Sequence, residues 1–554
     1  MRTNDRTRTM MQVARWALPV LMVLAASSAG TSDAEAQAAA PASVFLTSDR
    51  CMGCHNGLTT PDGQDVSVGF DWRPSMMANA ARDPYWQASV RRETLDHPSL
   101  RGAIEDKCST CHMPMSRFTQ KQAGASGQVL SHLPIGSAAT PDALLAADGV
   151  SCSVCHQTQP ANFGREESFT GGFLVDTRLP AGRRQVFGSF EVEAGRRRVM
   201  QSSAGFLPVR SSHLKQSEMC ATCHTLFTHA YDSQGREVGK LPEQVPYLEW
   251  RHSAYRTTQS CQSCHMPAIQ VPSPITSVLP NPHEGVSRHV FRGGNFFMPR
   301  LFNRYRAELG VVASPQELEA VARRTTDHLT TRSARLTIDQ TVGSEGVLDI
   351  DVTVQNLAGH KLPTAYPSRR VWIHLTVVGS GGQVLFESGR LMPNGQIVGN
   401  DNDADPARYE PHHELIQRRD QVQIYEAVMV DADKRVTTGL LRGVQFIKDN
   451  RILPAGFDKA TAGADIAVRG HAANDGDFTA STDRVRYRAS VAGAQGPVLV
   501  RAELWYQPIG FRWAENLAGH STSETNRFVS AYRSMSDASA IMLTSAERRM
   551  EDLP

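Results

Sequence analysis

No cysteine of this 554-residue chain stands outside one short pattern. All ten cysteines fall in C-x-x-C-H, so none is left over for a structural disulfide framework. Beyond the N-terminus no segment is apolar for long enough to cross a bilayer, which takes about 20 residues. No run of lysine and arginine is long enough to form a basic patch, and the formal net charge is only +2, so no nucleic-acid partner is expected. No internal repeat is evident apart from the cysteine pattern itself. These absences turn attention to the pattern.

It occurs five times: "CMGCH" (Cys51, Cys54, His55), "CSTCH" (Cys108, Cys111, His112), "CSVCH" (Cys152, Cys155, His156), "CATCH" (Cys220, Cys223, His224) and "CQSCH" (Cys261, Cys264, His265). Two thiols three positions apart lie on one side of a helical turn, where each can form a thioether to a haem vinyl group. The adjacent histidine then turns its imidazole onto the iron as proximal ligand. Zinc ribbons use C-x-x-C in pairs, so an odd number, each followed by histidine, fits zinc badly. Disulfides within the motifs would leave five histidines without a purpose. The spacing predicts five covalently bound haems c.

Haem attachment of this kind takes place outside the cytoplasm, and the N-terminus agrees. Arg2, Arg6, Arg8 and Arg15 precede the apolar run "ALPVLMVLAA", and "AEAQA" offers cleavage sites. No cysteine near that site could accept lipid, and the basic region holds no twin arginine. Residues 1–38 therefore read as a Sec signal peptide, and the product as periplasmic or exported, without a transmembrane anchor after cleavage. Losing the leader removes four arginines and three acids, which leaves a net charge of +1. Five haems would add ten propionates, making the holoprotein acidic unless arginines pair with them.

The motifs all lie between Cys51 and His265, and the second half has none. We expect an α+β multidomain chain. A mostly α or irregular pentahaem domain spans 39–312, rich in Pro, Gly and Ser and built around its cofactors. A linker helix spans 313–332, where Ser314, Pro315 and Glu317 spell a capping box with proline at the first helical position. Segments such as "VLDIDVTVQN", "RRVWIHLTVVG" and "PVLVRAELWYQ" then alternate with period two, which predicts an antiparallel immunoglobulin-like β-sandwich over 333–524. An amphipathic C-terminal helix is expected over 525–554.

Seven histidines beyond the proximal five lie in the motif-bearing half. As distal iron ligands we expect His97, His213, His252 and His289 first, then His132, with His229 and His283 behind them. His252 is placed on a short helix ahead of Cys261 and would cap the iron of a neighbouring haem. Met76 or Met77 is the alternative for the first haem; bis-histidine sites would run at lower potential than His/Met ones.

The stretches "DGVSCSVCHQ", "MCATCHTLFTHAYDSQG", "EQVPYLEWRHSAY", "SCQSCHMP" and "RHVFRGGNFFM" resemble bacterial multihaem cytochromes related to the nitrifier tetrahaem cytochrome c family. "NLAGHKLPTAYPSRRVWIHL", "FIKDNRILPAGFDK" and "YQPIGFRWAENL" resemble the C-terminal region of the same large proteins. The likeness implies haems in close-packed pairs, mainly bis-histidine, and a role in electron transfer. It carries no substrate. Pentahaem nitrite reductases of that superfamily usually hold the catalytic haem in C-x-x-C-K, and none of the five motifs here ends in lysine.

The expectation is a carrier moving electrons between redox proteins of the periplasm or respiratory chain. The rival is an enzyme with one five-coordinate haem acting on a small nitrogen or sulfur compound. In the second half, His360, Arg369 and Arg370 could face haem propionates or simply begin a strand. Asp401, Asp403 and Asp405, with His412 and His413, offer hard oxygens to calcium, but the glycine and closing glutamate of an EF-hand are missing, so a solvated turn is the default.

Overall fold

The computed structural model describes residues 43–551, apart from 233 and 345; the leader expected at 1–38 lies outside them. In the motif-bearing half every C-x-x-C sits in or beside a short helical turn. Arg101–His112 ends in the second motif, Cys152–Cys155 and Cys261–His265 are the third and fifth, and Asp49–Met52 and Ser217–Ala221 enter the first and fourth. The longer helix Pro84–Asp96 starts cleanly because Asp83 accepts from the Tyr85 and Trp86 N–H groups and proline takes the first position.

A hairpin of Leu226–Tyr231 and Glu237–Gln244 stands where the sequence reading expected irregular chain. Register shifts at Leu226/Phe227 and Ala230/Tyr231 break the two-residue alternation that would have betrayed it.

The expected linker helix forms as Pro315–Arg332. Ser314 accepts from the Glu317 N–H, and the Glu317 carboxylate takes the Ser314 N–H at 2.7 Å. Glu317 also receives Arg73 at 2.6 Å, tying the helix to the chain after the first motif. Ser314→Ala is expected to lower stability by about 1 kcal/mol, read as a shift of the urea midpoint at unchanged slope.

Strands dominate beyond residue 333. One sheet runs Leu415–Ile416, Thr482–Ser490, Val347–Asn356, Ala334–Ser344; a second runs Val384–Ser388, Arg370–Gly379, Val498–Gln507, Ile541–Met550, with Ile424–Tyr425 alongside Arg370–Gly379. Val436–Thr437, Ala427–Val430 and Gln445–Asp449 form a small third sheet. The alternation in "VLDIDVTVQN" works as read. Leu348, Ile350, Val352 and Val354 are fully buried in a core shared with Val371, Ile373, Leu375 and Val377 of the second sheet. The intervening Asp349 and Asp351 face their register partners Arg488 and Arg486, each held by two hydrogen bonds.

The C-terminal segment departs from expectation. Helix Ser523–Arg533 forms, but the helix expected to continue to 554 stops there, and Ile541–Met550 is a strand paired with Val498–Gln507. The serines at 534, 536 and 539 break the helical period with side-chain bonds back to the chain. Leu543 then fills the core while Glu547 meets Arg501 at 2.7 Å, closing an edge otherwise open to pairing.

From Ser43 on, the chain packs as one unit. Arg91 grips Glu524 through two bonds of 2.9 Å, joining helices Pro84–Asp96 and Ser523–Arg533. Deeper, Glu249 of helix Pro246–Arg251 meets Arg451 at 2.9 Å and accepts the Lys361 N–H at 3.1 Å. Asp449 takes Lys361 Nζ at 2.7 Å and Arg451 at 2.8 Å. All four side chains are buried, two positive against two negative.

Candidate functional site

A continuous cavity of about 1700 Å³ runs through the motif-bearing half, and all fifteen residues of the five motifs' Cys and His set line it. Thiols of different motifs face one another within hydrogen-bond reach: Cys51 with Cys152, Cys111 with Cys223, and Cys220 with Cys261. No cysteine is in a disulfide. Burial pushes the Cys155 thiol up to about 12. The first motif thus adjoins the third, and the fourth touches both the second and the fifth.

Four of the five motif histidines are held in one tautomer. Nδ1 of His55 donates to Ile275 O at 2.6 Å, of His112 to Ala80 O at 2.9 Å and of His156 to Phe187 O at 2.6 Å; His265 donates to Arg292 O. With the proton on Nδ1, each Nε2 keeps its lone pair for a metal. Burial lowers the His112 and His224 pKa values to about 4, so both imidazoles are neutral at pH 7. The His112 ring also lies flat on Trp86, 4.2 Å between centroids and 3° between planes.

Two more histidines share this arrangement. His289 donates from Nδ1 to Ser287 O at 3.1 Å and His360 to Lys361 O at 2.9 Å. The His289 ring lies 6.3 Å from that of His156 with 17° between planes, and the His360 ring 6.3 Å from that of His265 with 19°. Metal–imidazole bonds of about 2 Å on opposite sides of one ion put ring centroids roughly 6 Å apart. Both pairs have that separation, and all four rings line the cavity.

Four of the other six distal candidates do not line the cavity. His213 spends both nitrogens, on Ser211 and on Thr158 O. His252 gives Nε2 to Asp458 O at 2.9 Å and packs edge-on against Phe457; it meets a loop of the second half and does not line the cavity. His97 is buried near Tyr231 and His132 lies 3.4 Å from Asp142; neither lines the cavity. His229, bonded to Glu237, and His283, stacked on Phe190 at 4.4 Å, do line it, as do Met76 and Met77. His328 was not anticipated. It lines the cavity from the linker helix with a buried Nδ1 that has no hydrogen-bond partner.

Cations gather beside the fifth motif. Arg292, Arg332, Arg335 and Arg369 line the cavity. Burial and the neighbouring Arg288 and Arg332 hold the Arg292 pKa below its usual value. Mutual repulsion around a half-buried guanidinium calls for an anion. Apolar walls, paired thiols, Nε2 lone pairs and unneutralised arginines together fit haem with its propionates.

The acids considered for calcium are separated by their partners. Asp403 is buried against Arg370 at 2.8 Å, Asp401 meets Arg408, and Asp405 caps the Ala407 N–H. His412 faces Asp475 at 2.9 Å and His413 faces Glu410 at 2.6 Å. Arg370 is therefore committed to Asp403 and not to a propionate.

No family model and no curated protein matches the sequence. Among solved structures the chain is similar to a penta-heme cytochrome c552 from Thermochromatium tepidum, at 15% identity and a TM-score of 0.52, over 92% of this chain and 99% of that one. At that identity the likeness shows a shared fold.

Proposed function

We propose that this chain is an exported c-type cytochrome that carries five haems c and passes electrons between periplasmic redox partners. The observation that carries the reading is the pair of parallel imidazole couples, His156 with His289 and His265 with His360, inside a cavity lined by five C-x-x-C-H motifs. Haem, when bound, supplies one-electron iron chemistry.

The chain's own residues do the rest. Each motif's cysteines would hold a haem through its vinyl groups and its histidine would offer Nε2 to the iron, the backbone carbonyl behind Nδ1 of His55, His112, His156 and His265 raising the basicity of those four rings. Arg292 and Arg369, which line the cavity, would neutralise the propionates. Contacts between thiols of different motifs favour haems packed edge to edge. We read the two larger sheets as a sandwich that covers the fifth site, and residues 1–38 as a cleaved leader. The fold shared with a penta-heme cytochrome supports this, and no helix among the described residues is long and apolar enough to cross a membrane.

A second reading has its own observation. Among the described residues no imidazole lies opposite His55, His112 or His224 as His289 lies opposite His156. An open iron there would make the protein an enzyme acting on a small nitrogen or sulfur compound. The test is a haem count per chain followed by EPR of the ferric protein with and without nitrite or hydroxylamine. Five haems and low-spin signals unmoved by either compound are expected of a carrier. A high-spin signal that shifts with ligand moves the assignment to the enzyme, and a count below five overturns the pentahaem reading.

A further inference from the structure

Two carboxyl groups in the cavity wall have no part in holding haem. Glu93 lies on helix Pro84–Asp96 and Glu243 on the strand Glu237–Gln244; they are 4% and 5% exposed. Both line the cavity, as do Cys108 and Cys111 of the second motif; Cys108 lies in the field of both carboxylates, Cys111 in that of Glu243, and Cys111 faces Cys223 of the fourth. Neither makes an ion pair among the described residues. Glu93 accepts the Leu440 N–H at 2.8 Å through Oε1, while its Oε2 is buried with no hydrogen-bond partner. Glu243 takes only the Thr228 hydroxyl at 2.5 Å and the Gln244 amide at 3.5 Å.

A buried carboxylate without a cation is costly, and two near one another cost more. Burial, then the charge of Glu93, push Glu243 up to about 7; burial raises Glu93 as well. The other charges facing them are few. Lys107 faces Glu243, and Arg92, Asp96 and His97 face Glu93. Tyr85 and Tyr366, whose rings meet edge to face at 5.9 Å, and the thiols Cys108 and Cys111 complete the surroundings.

We propose that Glu93 and Glu243 form a shared proton site that takes up one proton when the iron held by the second or fourth motif gains an electron. The inference rests on the pentahaem reading. In the step, one electron from an external reductant converts ferric to ferrous iron. One proton from solvent adds to a carboxylate oxygen of the pair, so the cavity's net charge is unchanged. On oxidation both leave. The orphan Oε2 of Glu93 is where the structure has an acceptor with nothing to accept. The protein is thereby a proton-coupled carrier at this one position and not along its whole length.

The experiment is a potentiometric titration of the holoprotein at several pH values from 6 to 8, with dithionite as reductant, on wild type, Glu243→Gln and Glu93→Gln. Haem content is measured first. In wild type one step is expected to show a reduction equilibrium constant falling by up to tenfold per pH unit, with a protonated-carboxyl infrared band appearing on reduction. Either glutamine variant should lose both signals; Glu93→Gln keeps the carbonyl that Leu440 reaches and serves if Glu243→Gln does not accumulate. A slope that persists in both variants assigns the proton to propionates and overturns the proposal, as does a pH-independent wild type. A chain without five haems fails the underlying reading, and the proposal with it.

Discussion

Replacing His360 with alanine is expected to turn one low-spin iron high-spin while the haem count stays at five. The thioethers and His265 remain in place, so attachment is untouched, but the ring 6.3 Å from His265 is gone. Its Nε2 is free for a metal because Nδ1 is held by Lys361 O. Loss of the second imidazole should also raise that iron's potential by roughly one to two tenths of a volt, a modest part of the ~0.8 V that axial ligation spans. Two controls bracket the result. His289→Ala should do the same at the third motif, and His252→Ala should change no spectrum, since its Nε2 is engaged by Asp458 O. An unaltered EPR spectrum in His360→Ala would remove the axial assignment.

Asp449→Ala should be among the most destabilising single changes, at about 3–5 kcal/mol. Asp449 is 2% exposed and meets both Lys361 and Arg451. Its loss leaves Glu249 alone against two buried cations. The Arg451 and Lys361 charges hold the Asp449 pKa well below the usual carboxylate range despite burial. A depressed folded-state value means that this stabilisation is complete above the unfolded value near pH 4 and is lost as pH falls below it. Urea midpoints at pH 7 measure the first effect. The deficit of the variant should shrink progressively below pH 4, and a deficit independent of pH down to 2 would contradict the account. Lys361 adjoins His360, so the variant should also broaden the fifth-site signal.

How much the sequence disclosed followed from how local each demand is. Thioether attachment fixes two cysteines and a histidine within five residues, so every proximal position was legible. A distal ligand has only to arrive in space. His360 comes from a loop almost a hundred residues beyond His265, whereas His252, close to the fifth motif in sequence, turns away to Asp458. Proximity along the chain does not tell which imidazole comes to lie opposite a motif histidine. His289, which follows the last motif in sequence, lies 6.3 Å from His156 of the third. Strands were read well where one face is buried and the other charged, as at Val347–Asn356. They were missed where bulges blur the period, or, at Ile541–Met550, where a serine-rich turn separates a true helix from an edge strand.

The position of His360 also has a consequence for how the protein is made. Synthesis runs from the N-terminus, so all five attachment motifs exist before the residue that faces the fifth one has been translated. A chain interrupted between residues 265 and 360 carries every attachment motif but lacks the imidazole that lies opposite His265. On the reading proposed above, folding of the strand-rich half would bring His360 to that site, and the buried Lys361–Asp449–Arg451–Glu249 cluster would hold it there.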